Sequence, residues 1–121
     1  MSAFEELGDI RPIPIWDGIA ARTVDGDEMT MAIVELDPGA VAAEHSHGNE
    51  QVGIVLSGSM TFRIGEETRE IGPGMTYCIR ADVPHTATAG PDGCVVIDIF
   101  APPRADWDRF EPQDAREPRW P

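Results

Sequence analysis

Three histidines stand in the chain, and their spacing suits the holding of a metal ion. His45 and His47 form an H-x-H pair within the stretch Gly39 to Gln51. Alternate residues of a strand project to one face, so both imidazoles are expected to point into one space. His85 comes after the Gly72-Pro73-Gly74 turn and a further strand, in Asp82-Val83-Pro84-His85. Imidazole is the commonest protein ligand for a divalent transition metal. Two imidazoles from one strand, a third from another and one side-chain oxygen would complete a four-ligand site; solvated surface histidines are the alternative.

A second cluster lies further on, in Val96-Ile97-Asp98-Ile99-Phe100-Ala101-Pro102-Pro103-Arg104. Asp98 and Phe100 share a strand face with Val96. A carboxylate inside an apolar strand is costly unless something satisfies it. Asp98 is therefore either a general acid or base facing the metal cavity, or a solvated charge or partner of an arginine. Pro102-Pro103 stiffens the chain before Arg104 and would help fix its guanidinium for carboxylate recognition. A rim salt bridge is the alternative for Arg104.

The elements that must position these residues read as strands. Turn signals recur at Asp25-Gly26-Asp27, Asp37-Pro38-Gly39, Ser57-Gly58-Ser59, Gly65-Glu66-Glu67, Gly72-Pro73-Gly74 and Gly90-Pro91-Asp92-Gly93. Between them lie runs rich in Val, Ile, Thr, Met and aromatics: Met29–Leu36, Val52–Leu56, Met60–Ile64, Met75–Ile79 and Cys94–Phe100. Short strands at this spacing predict an all-β sandwich or barrel, with jelly-roll closure of its edges. From Asp106 onward the chain changes to acids, arginines and prolines. There Trp107 and Phe110, at i and i+3, could pack both rings on the barrel from one short helical turn. The rest of this tail is expected to wrap a surface or a partner, with a disordered tail as the alternative.

Composition bounds the partners. At 121 residues the chain is expected to form one domain. No apolar run is long enough to span a membrane, and no secretory signal is visible at the amino terminus, so a cytoplasmic protein is expected. Against 22 acidic residues stand 9 basic ones, a net charge of −13, which disfavours nucleic acid and anionic membranes. All the basic residues are arginine, which removes lysine Schiff-base chemistry and the ordinary P-loop. Cys78 and Cys94 sit in apolar runs and are read as buried small hydrophobes without a disulfide.

The histidine spacing resembles that of the small single-domain cupins. Their first motif, G-x5-HxH-x3-E-x6-G, is matched by Gly39, His45, His47 and Gly58, with Gln51 in place of the glutamate. Gly72-Pro73-Gly74 and His85 match the second motif in its looser form, with Ala89 where asparagine is common. The resemblance implies a double-stranded β-helix with a core over about 28–104, residues 105–121 forming an extension, and one metal ion per chain inside the barrel. At the departure from the motif, strand alternation makes Gln51 the expected fourth ligand through its amide oxygen, with Glu50 the alternative. Zinc, nickel, iron and manganese all suit such ligands. Neutral ligands leave a dication its full charge, which favours polarising a substrate oxygen over the 2-His-1-carboxylate chemistry of ferrous oxygenases.

The second cluster is similar to that of the pectin-degradation, KdgF-like cupins. Their H-S-H-x2-E-Q-V/I-G is matched by His45 to Gly53, and their D-x-F-x-P-P-R-x-D by Asp98 to Asp106. The resemblance implies metal ligands at His45, His47, Gln51 and His85, and active-site roles for Asp98, Phe100 and Arg104. It also implies opening of the ring of 4,5-unsaturated galacturonate to a linear keto form. An iron-dependent dioxygenase or lyase, or a non-catalytic binder of a small metabolite, are the competing readings. An anionic sugar acid sits badly with a charge of −13, so the metal and Arg104, aided by Arg63 or Arg80, would have to reverse the field locally. Pairing through sheet edges predicts a homodimer, with Trp16 and Trp120 as candidates for burial there.

Overall fold

The computed structural model describes residues 2–120; of the expected tail, Pro121 lies outside this range. Eight strands make up the fold: β1 (Ile13–Trp16), β2 (Ile19–Asp25), β3 (Thr30–Leu36), β4 (Val41–His45), β5 (Glu50–Ile64), β6 (Glu67–Ile71), β7 (Thr76–Ile79) and β8 (His85–Ala101). All pairings are antiparallel. One layer runs β1-β2-β3, the second half of β8, the first half of β5, then β7. The other runs β4, the first half of β8, the second half of β5, then β6. This is the expected all-β jelly-roll barrel, and its sheet begins earlier than residue 28, because β1 and β2 extend it.

The runs Val52–Leu56 and Met60–Ile64 belong to one strand, β5, and Cys94–Phe100 is the second half of β8. The glycine segments that read as hairpin turns are bends inside these long strands. At the bend the two strands approach so closely that a Cβ on Gly58 would strike the carbonyl of Gly93, and both glycines have positive φ (74° and 76°). The ladder slips between Val55 and Ser57 and again between Gly58 and Met60. The slip reverses the inward face. In β5 the inward positions change from Gln51 and Val55 to Met60 and Phe62; in β8 they change from His85, Ala87 and Ala89 to Cys94, Val96, Asp98 and Phe100. One strand can thus aim both His85 and Asp98 into the interior.

The buried core includes Ile19, Ala21, Val34, Leu36, Val55 and Met60, and Ile19, Val34, Leu36 and Met60 also line the cavity described below. Outside the sheet, Arg22 is only 1% exposed and pairs with buried Glu35, while its other nitrogens bond the carbonyls of Ile10 (3.2 Å) and Arg116 (2.9 Å). The segments at both ends of the chain are fastened over this charge. Arg119 reaches Glu35 (3.2 Å), and the amide of Gln113 donates to the Pro12 carbonyl (2.8 Å), so the tail wraps its own barrel. A 3-10 turn at Ala105–Arg109 begins the tail, burying Trp107 and half-burying Phe110 as their spacing predicts. One expectation is corrected: Cys94 is buried, but Cys78 is exposed, because it follows the inward Tyr77 on β7 and faces the other way.

Candidate metal centre and active site

The three imidazoles converge at the open end of the barrel. His45 is the last residue of β4 and is paired with His85, the first of β8. The H-x-H pair is not one continuous strand. His47 lies in the loop after β4, where its carbonyl accepts the Asp82 amide (2.8 Å) and its ring is held against the loop. A slip of the ladder between Ala42 and His45 turns His45 inward. One ligand atom from each histidine lies within 4.8 Å of the others.

Their hydrogen bonds fix which ring nitrogens face inward. Nδ1 of His45 bonds the Ala43 carbonyl (2.7 Å), that of His47 the Asn49 carbonyl (2.9 Å) and that of His85 the Val83 carbonyl (2.9 Å). A carbonyl only accepts, so each Nδ1 carries the proton and each Nε2 keeps its lone pair. This outer support is the arrangement that orients histidine ligands on a metal. Burial pushes His85 down to about 4 and also lowers His47, on which the Arg104 charge acts in the same direction. Both stay neutral and able to coordinate near pH 7.

Gln51, 6% exposed, completes the group. Its side chain hydrogen-bonds Asp98, and a carboxylate requires the amide NH2 to be the donor. The amide oxygen is thereby turned to His47, with Oε1 3.2 Å from Nε2. Two lone-pair-bearing atoms at that separation have no proton to share, which is the environment a cation satisfies. The donors present therefore fit a divalent ion. Glu50 faces outward on β5 and is exposed, so it is Gln51 that joins the imidazoles.

Asp98 is 6% exposed and lines the same cavity of about 300 Å³ as the histidines, Phe100 and Arg104. Burial pushes its carboxyl up to about 6, against hydrogen bonds from Tyr77 and Gln51 and the charge of Arg104. The Tyr77 hydroxyl donates to Asp98 Oδ1 at 2.6 Å. Gly53, between them on β5, has no side chain where a Cβ would strike both. Arg104 lies over the rings of Phe100 (4.8 Å) and Trp107 (4.3 Å). It is also held by Asp106 through Nε and Nη2, both at 3.0 Å. That salt bridge leaves Nη1 without a protein partner among the described residues.

Sequence reasoning missed three residues at the cavity. Tyr77 went unremarked within the Met75–Ile79 strand, Arg109 belonged to the tail, and Trp16, a candidate for burial at a dimer contact, also packs on His45 at 5.1 Å between ring centroids. Arg63 and Arg80 do not line the cavity; Arg63 is paired with Glu44. A glycine within the strand at Gly53 was the one available signal for Tyr77, because it marks a close approach.

The cupin domain family matches residues 32–100, more than half of the chain. This protein is a cupin. The pectin degradation protein KdgF of Dickeya dadantii is 31% identical over 106 residues, covering 86% of this cupin and 89% of the relative. KdgF from Halomonas sp. superposes with a TM-score of 0.80 at 26% identity, over 88% of this cupin and 98% of that chain. The fold is shared more widely. The polyketide cyclase RemF of Streptomyces resistomycificus superposes with a TM-score of 0.73 at 23% identity, over 84% of this chain and 80% of that one. Small size, the three-histidine group and extended similarity mark it as a KdgF-like cupin. No helix among its described residues is long and apolar enough to cross a membrane.

Proposed function

We propose that this cupin opens the ring of a 4,5-unsaturated uronate, with a divalent ion held by His45, His47, His85 and Gln51. The observation that carries the reading is the meeting of a buried carboxylate, Asp98, and an aromatic-clamped guanidinium, Arg104, with the three imidazoles in one small cavity. Its volume of about 300 Å³ is at the lower end for ligand sites and suits a monosaccharide acid. The ion, ligated only by neutral groups, supplies a Lewis acid at a substrate oxygen. Nη1 of Arg104 binds the uronate carboxylate. Phe100 packs on the sugar ring and keeps water out.

Asp98 carries the proton. In ring opening the anomeric hydroxyl loses its proton, C1 becomes a carbonyl and the bond from C1 to the ring oxygen breaks. The resulting enol oxygen at C5 becomes a ketone as C4 gains a proton. The sum is an isomerisation that needs no co-reactant, and a single carboxylate that accepts at one point and donates at another suffices. A neutral amide in the fourth position favours this over the 2-His-1-carboxylate chemistry of a ferrous oxygenase.

The reading extends to a homodimer acting in the cytoplasm on a small sugar acid, without nucleic-acid or membrane partners. Trp120, 55% exposed, is the ring expected to be covered on pairing; sedimentation as a monomer would remove the dimer. The function itself is tested by proton NMR of 4,5-unsaturated galacturonate with the purified protein, after subtracting spontaneous opening. Ring signals should disappear faster with protein and lose that acceleration with a chelator. No acceleration from a metal-loaded sample would overturn the reading.

A further inference from the structure

Tyr77 is the single tyrosine of the chain, and it is aimed at the proposed proton carrier. β5 runs between β7 and β8, with Gly53 paired to Tyr77 on one side and to Asp98 on the other. Tyr77 and Asp98 therefore stand two strands apart, roughly 10 Å across the sheet. A long phenol reaching over a residue without a side chain closes that gap, and its hydroxyl donates to Asp98 Oδ1 at 2.6 Å. Any Cβ on Gly53 would strike both the carboxylate and the phenol ring. Phe62 clamps the ring from the second half of β5, edge-on at 5.0 Å between centroids. Asp98 also bonds Gln51, so donors from two side chains fix the carboxylate in one orientation.

We infer that Tyr77 is a positioning residue for the reaction. Its phenol, admitted by Gly53, holds the Asp98 carboxylate at the angle from which it exchanges a proton with substrate. This rests on the ring-opening reading above. With Tyr77 removed, Asp98 keeps only the Gln51 amide and is free to rotate. Small displacements of a reacting group cost rate more than binding.

The test is a kinetic cycle on the metal-loaded protein with 4,5-unsaturated galacturonate. Tyr77→Phe should lower kcat roughly tenfold to a hundredfold with KM and metal content unchanged, and should cost nothing further in an Asp98→Asn background. Wild-type kcat in Tyr77→Phe, or an equal loss in both backgrounds, would overturn the positioning role while ring opening stands. No turnover by the wild type would overturn ring opening, and the positioning role with it. Should Tyr77→Phe fail to fold, tyrosine labelled with carbon-13 at Cζ gives one resonance from this chain. That signal should shift in Asp98→Asn, and a resonance that stays in place would overturn the contact.

Discussion

Gln51 Oε1 and His47 Nε2 face each other across 3.2 Å with no proton between them. The pairing follows from the neighbours on either side. Asn49 takes the proton-bearing Nδ1 of His47, and Asp98 takes the amide NH2 of Gln51. It also gives a physical reason for an amide where cupins commonly carry glutamate. A carboxylate at 51 would lie against the buried carboxylate of Asp98, and two such charges cannot both ionise at close range.

Metal content reports the ligand set directly. His47→Ala should reduce the bound ion, measured by elemental analysis after dialysis, to a trace. Full retention would remove His47 from the site. Gln51→Glu should keep an ion while turnover falls by about 10–100-fold, because the new carboxylate lies against Asp98 and disturbs the group that bonds it.

Asp98→Asn separates holding from reacting. The asparagine keeps the volume and can still meet Tyr77 and Gln51, so metal content should be unchanged. Turnover should fall by about 10²–10⁴-fold, the ordinary contribution of a positioned acid or base. An active Asp98→Asn protein would take this residue out of the mechanism.

Acid should loosen the fold through Glu35. Burial alone would raise its carboxyl, but the hydrogen bonds and charges of Arg119 and Arg22 outweigh burial and hold it below its ordinary value of 4.5. A depressed folded value means that the carboxylate contributes stability above about pH 4.5, lost as pH falls through the folded value. Glu35→Gln should flatten that acid limb in denaturation midpoints measured across pH. At pH 7 it should cost about 3–5 kcal/mol, because Arg22 is left buried without its partner. An unchanged acid limb would show that the pair does not act in this way.

The bend of the long strands should be intolerant of a side chain. Gly58→Ala places a Cβ at positive φ and against the Gly93 carbonyl. The backbone conformation alone should cost about 1–2 kcal/mol, and the collision adds to it. Chemical denaturation of Gly58→Ala measures the sum, and a stability equal to wild type would mean that the bend relaxes freely.

Much of the site was legible because period-2 alternation and fixed motif spacing are local properties of a chain. The Val96-Asp98-Phe100 face follows from alternation, with all three residues buried, and alternation likewise turns Gln51 inward on β5 and Glu50 outward. What alternation cannot reveal is a slip of the ladder. Ser57-Gly58-Ser59 has the composition of a turn whether the chain reverses or merely bends, so β5 and β8 each read as separate pieces. Tyr77 was hidden for a related reason: its partner is two strands away, and only register brings Gly53 between them. Cys78 was misplaced because apolar character marks a strand but not which side faces in.

The bend at Gly93 divides β8 into two lengths of independent phase. His85 lies on one side of it and Asp98 on the other. A single residue inserted after Gly93 would swap the faces of the second length. Ile97 and Ile99 would then line the chamber, and Asp98 and Phe100 would turn to the outside. The imidazole cradle would be untouched. A cupin of this build can therefore gain or lose its acid by a change in chain length, without any substitution among the groups that grip the ion.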